Sequence, residues 1–318
     1  VDSPGERQED QVATSFAISI PQLSADGSFD PAGFRGYMER AEALGFESAW
    51  TSEQVLGPAP VLGPVETMTY AAACTERLRL GCAVFVLPLH NPVHLAKSLS
   101  SLDQISRGRL EVGVSTGGPS RPFAAFDADR ASFVARFTEG LALMNVLWTE
   151  PRFDFDGRFW RLEGASMEPK PFQKPRPPVW FGAAGPNSLR RAVRLGDGFI
   201  GAGSTTTAQF AEHVKVVRDA LAESGRDPSG YRIAKRVYLA VDDDPERGRR
   251  RVEAALDRYY GGPPGRLGSV AVCGPPAVVV KGLREVAEAG AEMILLNPMF
   301  DDAEQMERLA AEVVPALR

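Results

Sequence analysis

Eight times along this chain a short apolar strand pattern is followed by a helical one, and that alternation restricts the fold more than any other feature. The strand patterns fall at residues 16–20, 48–52, 78–86, 109–114, 179–181, 198–200, 233–241 and 293–296. The third, LRLGCAVFV, is apolar on both faces, which suits the middle of a parallel sheet and not a half-solvated antiparallel one. Its small residues Gly81, Cys82 and Ala83 leave room for something flat to lie against the backbone. The chain then turns through Pro88 and Asn91-Pro92 into an amphipathic helix.

Eight such units without a composition shift predict a closed (β/α)8 barrel, a single α/β TIM barrel. The rival, an open doubly wound sheet, carries a glycine fingerprint after its first strand. Here that turn is Pro21-Gln22-Leu23-Ser24, with no such pattern. The expected layout is one barrel domain over 16–318, with 151–178 inserted as a surface excursion after the fourth unit. That excursion holds six prolines and a hairpin signal at Asp156-Gly157. Residues 1–15 are polar and acidic and read as a disordered lead-in with no apolar leader core.

With 44% hydrophobic and 24% charged residues, the composition is that of a soluble globular protein. A net charge of −5 does not favour nucleic acid or an anionic membrane as partner. No run approaches the roughly 18 apolar residues of a membrane span. Cys74, Cys82 and Cys273 are isolated on apolar segments and read as buried thiols of a reducing compartment, which makes the cytoplasm the expected location.

In a barrel the site is built from the loops that follow the strands. Those loops are rich in Gly, Ala, Ser and Thr and poor in titratable groups, which suits cradling a large ligand with backbone N–H groups and hydroxyls. Three histidines are too few for a metal hydrolase: His94 and His213 fall inside helical patterns, and no metal site is expected. No GxSxG motif or paired carboxylates support covalent acyl or glycosyl chemistry.

Glu53 is the one acid at a strand end in the first four units. It reads either as a partner for a bound heterocycle or as a cap for neighbouring loop N–H groups. His90 either reaches the barrel mouth or stabilises the turn before Asn91-Pro92. Ala183-Ala184-Gly185-Pro186 leads into a helix N-terminus, where free N–H groups and the helix dipole favour a phosphate. Arg121 either adds positive charge to such a site or is a solvated surface arginine.

These residues carry a family likeness. GCAVFVLPLHNPVHLAK at 81–97, LDQISRGRL at 102–110, LWTE at 147–150, FDGRFW at 155–160, EPKP at 168–171, VWFG at 179–182 and LGDGFI at 195–200 resemble the bacterial-luciferase-like family. The resemblance implies a (β/α)8 barrel and redox chemistry with the deazaflavin coenzyme F420, or alternatively with FMN. The wording of the motifs is closer to the F420-dependent branch. By resemblance, Ala83-Val84 matches a non-proline cis peptide that bulges against the ring. Thr116 and Gly117 match the turn beside the cofactor, Ala184, Gly185 and Pro186, just after Ala183, its phosphate and side-chain loop, and Glu53 the acid after the second strand.

Two departures stand out. Many relatives carry a histidine directly after that acid, where this chain has Gln54, which exchanges hydrogen bonds but no proton at neutral pH. The sugar-phosphate dehydrogenases of the family use an acid where this chain has Gly118, and phosphate-binding positions that correspond to Ala202 and Thr205. A glucose-6-phosphate-type reaction is therefore disfavoured. The expected activity is hydride transfer between F420 and a small organic molecule, with Glu53, Gln54 and His90 as candidate catalytic residues. The alternatives are an FMN-dependent monooxygenase using reduced flavin and O2, and a non-catalytic flavin- or deazaflavin-binding protein. Family habit implies a homodimer.

Overall fold

The structure, a computed structural model, describes residues 14–22, 28–118, 123–126, 129–260 and 267–318. The sequence-predicted lead-in up to residue 13 and Arg121 lie outside them. Ser15, placed in the lead-in by the sequence reading, already belongs to the first strand because its N–H pairs with the Glu292 carbonyl.

The first four units run β1 (Ser15–Ser19), α1 (Pro31–Ala43), β2 (Ser48–Thr51), α2 (Pro64–Cys74), β3 (Arg79–Val86), α3 (Pro92–Ile105), β4 (Leu110–Ser115) and α4 (Phe133–Thr149). A two-stranded excursion follows, β5 (Phe153–Asp156) and β6 (Arg161–Ala165). The barrel then resumes with β7 (Val179–Gly182), α5 (Pro186–Leu195), β8 (Gly198–Gly201), α6 (Thr207–Ser224), β9 (Arg232–Val241) and α7 (Pro245–Tyr260). It ends with β10 (Val272–Gly274), α8 (Pro276–Glu288), β11 (Met293–Pro298) and α9 (Asp302–Arg308).

Strands β1, β2, β3, β4, β7, β8, β9 and β11 pair in parallel in that cyclic order, and the β1–β11 and β8–β9 ladders close the barrel. The helices start where local chemistry directs. Asp30 caps α1 ahead of Pro31, and the Asn91 side chain accepts from the Val93 and His94 N–H groups ahead of Pro92. Helix α2 begins at Pro64, where Gly63-Pro64 supplies another proline start.

Two apolar layers hold the barrel. The outer one packs strand residues such as Leu80, Val112, Val114 and Phe199 under the helices. The lumen holds Ala17, Trp50, Trp180, Ile200, Ala234, Met293 and Leu295, with Ala83 and Val84 against them. Trp50 and Trp180 meet edge to face at 5.8 Å, and each indole N–H has a partner: Ser48 Oγ at 2.8 Å and Glu111 Oε2 at 2.6 Å. Burial pushes the Glu111 carboxyl up, opposed by its ion pair with Arg79.

The excursion is tied to α4. Glu139 accepts from the N–H groups of Arg158, Phe159 and Trp160 at 3.1, 2.8 and 3.1 Å, which fixes the turn between β5 and β6.

Candidate active site

The carboxyl ends of the strands form a mouth, and its floor is the middle of β3. The Ala83–Val84 peptide is cis, and the β3–β4 register shifts between Cys82 and Phe85 as a bulge. The Val84 side chain lies against two glycines, Gly113 on the adjoining strand β4 and Gly182 on β7 beyond it. A Cβ on Gly182 would lie 3.2 Å from Val84 Cγ1. One on Gly113 would lie 3.1 Å from the same methyl and 2.0 Å from the Cys82 carbonyl oxygen.

At the edge of this shelf stands Glu53, buried at the end of β2. Its Oε2 accepts from the Val86 N–H at 2.7 Å, and its Oε1 lies 2.6 Å from His90 Nε2. Of its two readings the structure shows the cap, on the Val86 N–H, and it adds a contact to a histidine that neither reading named. His90, carried on the turn after β3, packs edge to face on Phe85 and stays about a quarter exposed, at 24%. Gln54 goes elsewhere. Its amide donates to the Tyr259 carbonyl at 2.8 Å, and its buried Oε1 has no partner. Of the three candidate catalytic residues, the fold joins Glu53 to His90 and turns Gln54 toward the end of α7.

Of the other sequence-predicted cofactor residues, those among the described residues follow neighbouring barrel strands. Thr116 and Gly117 follow β4, where Gly117 takes φ +76° and its N–H bonds Ser115 Oγ at 3.1 Å. Ala183 to Pro186 follow β7 and run into the start of α5, and Ala184, Gly185 and Pro186 are exposed. Ala202 and Thr205 follow β8. The buried Lys235 ammonium donates to both of their carbonyls, 3.0 Å to Thr205, so it braces this loop from beneath.

Across the lumen from β3, β9 sends Arg236 inward to donate to the Ala83 carbonyl. Above it a cavity of about 450 Å³ opens, lined among others by Ser19, Trp50, Arg236, Tyr238, Tyr259 and Asp302. The sequence reading did not name Arg236 or the tyrosines. The available signal was a charged pair, Lys235-Arg236, in an otherwise apolar strand pattern. Glu53 and His90 do not line this cavity, although Ser52, next to Glu53, does.

Burial, with Asp301 beside it, pushes the Asp302 carboxyl up to about 6. Between an unfolded value of about 3.9 and that point, the folded chain keeps a proton the unfolded chain has lost. Stability therefore falls as pH rises through that window and levels off above it. Asp302→Asn is expected to flatten this slope, read from unfolding midpoints between pH 4 and 7.

Among the described residues no group of three or more His, Cys, Asp or Glu is placed to hold a metal ion, and no helix is long and apolar enough to cross a membrane. The three cysteines are free and buried.

Residues 11–293 match the profile of the family described as luciferase-like monooxygenase. The chain belongs to that family. Among curated luciferase-like relatives, it is 27% identical over 327 aligned positions to the F420-dependent glucose-6-phosphate dehydrogenase of Intrasporangium calvum, covering 91% of this chain and 96% of that one. Shorter matches to other proteins of that name span 64–66% of their lengths. The solved monooxygenase RslO1 from Streptomyces bottropensis superposes with a TM-score of 0.80 at 26% identity, covering 96% of this chain and all of that one. A solved F420-dependent secondary alcohol dehydrogenase, in complex with an F420–acetone adduct, shares the fold at a TM-score of 0.80 with 19% identity over 96% and 99% of the two chains.

Proposed function

We propose that this luciferase-like protein is an oxidoreductase that transfers a hydride between coenzyme F420 and a small organic substrate. The observation that carries the reading is the β3 bulge at Ala83–Val84 with the Glu53–His90 pair at its edge. The near full-length likeness to an F420-dependent dehydrogenase supports the choice of cofactor. The alternative, FMN-dependent monooxygenation, is favoured by the likeness to the RslO1 monooxygenase. A non-catalytic binding protein on the same barrel would take up cofactor without turning over any substrate.

The residues present fit a flat ring with an anionic tail. Ala83 and Val84 would meet the ring with the β3 bulge, and Thr116 and Gly117 supply the adjoining turn. Beyond them the loop edges are open. A Cβ on Gly118 would meet nothing within 4 Å, and one on Gly185 only Ser188 Oγ at 3.8 Å. The N-terminus of α5, reached through Ala183 to Pro186, would favour a phosphate by its dipole, although Pro186 brings no N–H and the Gly185 N–H bonds Ser188 Oγ at 3.0 Å. When bound, the cofactor supplies the hydride chemistry at its ring. The chain's own work is to hold the ring edge, to exclude water, and to handle the proton that accompanies the hydride. Glu53 Oε1 fixes His90 by its Nε2, which leaves Nδ1 as the ring nitrogen for proton exchange.

The sugar phosphate of the named relatives is not carried over. Ala202 and Thr205 bring no charge to that position, and Lys235 is committed beneath the loop. The reading includes one domain over 16–318, a homodimer, no nucleic-acid partner and a cytoplasmic location. The net charge of −5 and the three buried free thiols support the last two.

The deciding experiment is equilibrium titration of the purified chain with oxidised and reduced F420 and FMN. Preference for F420 is expected; a clear preference for FMN would replace this reading with monooxygenation. Gly185→Leu tests the phosphate loop. Gly185 has φ −93° and free space around it, so the substitution is expected to leave stability within about 0.5 kcal/mol. Cofactor affinity should fall more than tenfold, about 1.4 kcal/mol. Undiminished binding would remove this loop from the site.

A further inference from the structure

We propose that the cavity over β1, β2, β9 and β11 takes an organic acid, a carboxylate on a flat apolar body, and that Arg236 reads its charge. The proposal names the substrate class for the oxidoreductase read above, but the recognition itself needs no cofactor.

Arg236 is only 9% exposed, and no carboxylate among the described residues pairs with it. The hydroxyls of Tyr238, Tyr260 and Tyr259 stand near it, as do the Cys82 thiol and the Lys235 ammonium, and none of these is a carboxylate. A guanidinium has five N–H donors. Arg109 shows how this chain satisfies an arginine without an acid: Nε and both terminal nitrogens reach Ser106, Thr75, Leu78 and Ala72 at 2.8–2.9 Å. Arg236 reaches one carbonyl, that of Ala83, with Tyr238 beside it. Arg79 and Arg232, on the strands at the closed end, are each paired, with Glu111 and Glu47. A buried cation without a counter-ion is costly, and here it borders an open cavity.

Two further groups point the same way. Ser19 Oγ is buried, borders the same cavity and makes no hydrogen bond, and the buried Tyr259 hydroxyl, on the same cavity, has only Ser52 beside it. Both can donate to a carboxylate oxygen. Trp50, Pro298 and Phe300 supply apolar walls, and about 450 Å³ suits a one- or two-ring molecule. The acids of the cavity sit on the β11–α9 side, where Asp301 is paired with Arg251. The anionic end of the ligand is thus directed to Arg236 and away from Asp302.

The test uses 2-naphthoate and its neutral isostere 2-naphthamide, titrated calorimetrically into the full chain with and without F420. The acid is expected to bind about tenfold to hundredfold tighter than the amide, the range for a hydrogen bond to a charged group. Arg236→Met, titrated without F420, should abolish that preference, and Arg236→Lys should retain part of it. Equal affinities in the wild type, or a preference that survives Arg236→Met, overturn the proposal. So does loss of F420 binding in Arg236→Met with naphthoate binding intact, which gives the arginine to the cofactor instead. If Arg236→Met does not fold, the wild-type comparison and Ser19→Ala decide: the acid should lose affinity in Ser19→Ala, and the amide should lose less. Failure of the F420 reading appears in the cofactor titration alone and leaves the naphthoate arm standing.

Discussion

His90→Ala is expected to lower kcat by about 10²–10⁴-fold, the usual contribution of a positioned acid or base, while the F420 dissociation constant stays within a few-fold. The argument rests on where Glu53 spends its two oxygens. One accepts from the Val86 N–H at 2.7 Å, which anchors the carboxylate to the end of β3; the other lies 2.6 Å from His90 Nε2. Glu53→Gln keeps an acceptor for Val86 but removes the charge that orients the imidazole, so it should also lower kcat, by less than the alanine variant. The two substitutions should be markedly non-additive, because they act on one unit. Added imidazole should restore part of the activity of His90→Ala. Unchanged turnover in His90→Ala would return the proton step to Gln54 or to solvent.

Gly113→Val is expected to lose both stability and cofactor binding. Even the first carbon of a side chain there would sit 2.0 Å from the Cys82 carbonyl oxygen, a backbone atom that no rotamer change can move aside. The cost is about 1–3 kcal/mol or more, as for overpacking in a close-packed interior. Relief would require the β3 bulge to withdraw from β4, and the shelf would go with it. Chemical denaturation and F420 titration should therefore fail together, in contrast to Gly185→Leu, where binding is lost alone. A Gly113→Val protein with wild-type stability and affinity would mean that the bulge is not what receives the ring.

The barrel was legible because parallel strands covered on both faces read as unbroken apolar runs. All eight barrel strands fall within two residues of the sequence-predicted spans at each end. The proline start of α3 was equally plain. Strand β10 was not, since three residues are too few to show a period. The site was legible as a set of loop residues but not as contacts. Glu53 and His90 are 37 positions apart, and nothing in their local patterns says that one turn delivers the imidazole to the acid. Gln54 drew attention as a missing histidine, yet the fold provides a histidine from a different loop. Arg236 was passed over because alternation along a mostly apolar strand does not reveal which face meets the lumen until the barrel closes.

Strand β9 has ten residues, against four in its neighbour β8, and β8 pairs with it only as far as Lys235. On that side its far end, Leu239-Ala240-Val241, projects beyond the barrel ladder. An apolar strand edge left bare there would present a row of unpaired N–H and C=O groups to any second chain in solution. Strand β10 covers it, pairing Val272, Cys273 and Gly274 with those three residues. The small strand that the sequence hid thus guards against aggregation, closing a sticky edge that the tall wall of the pocket would otherwise create.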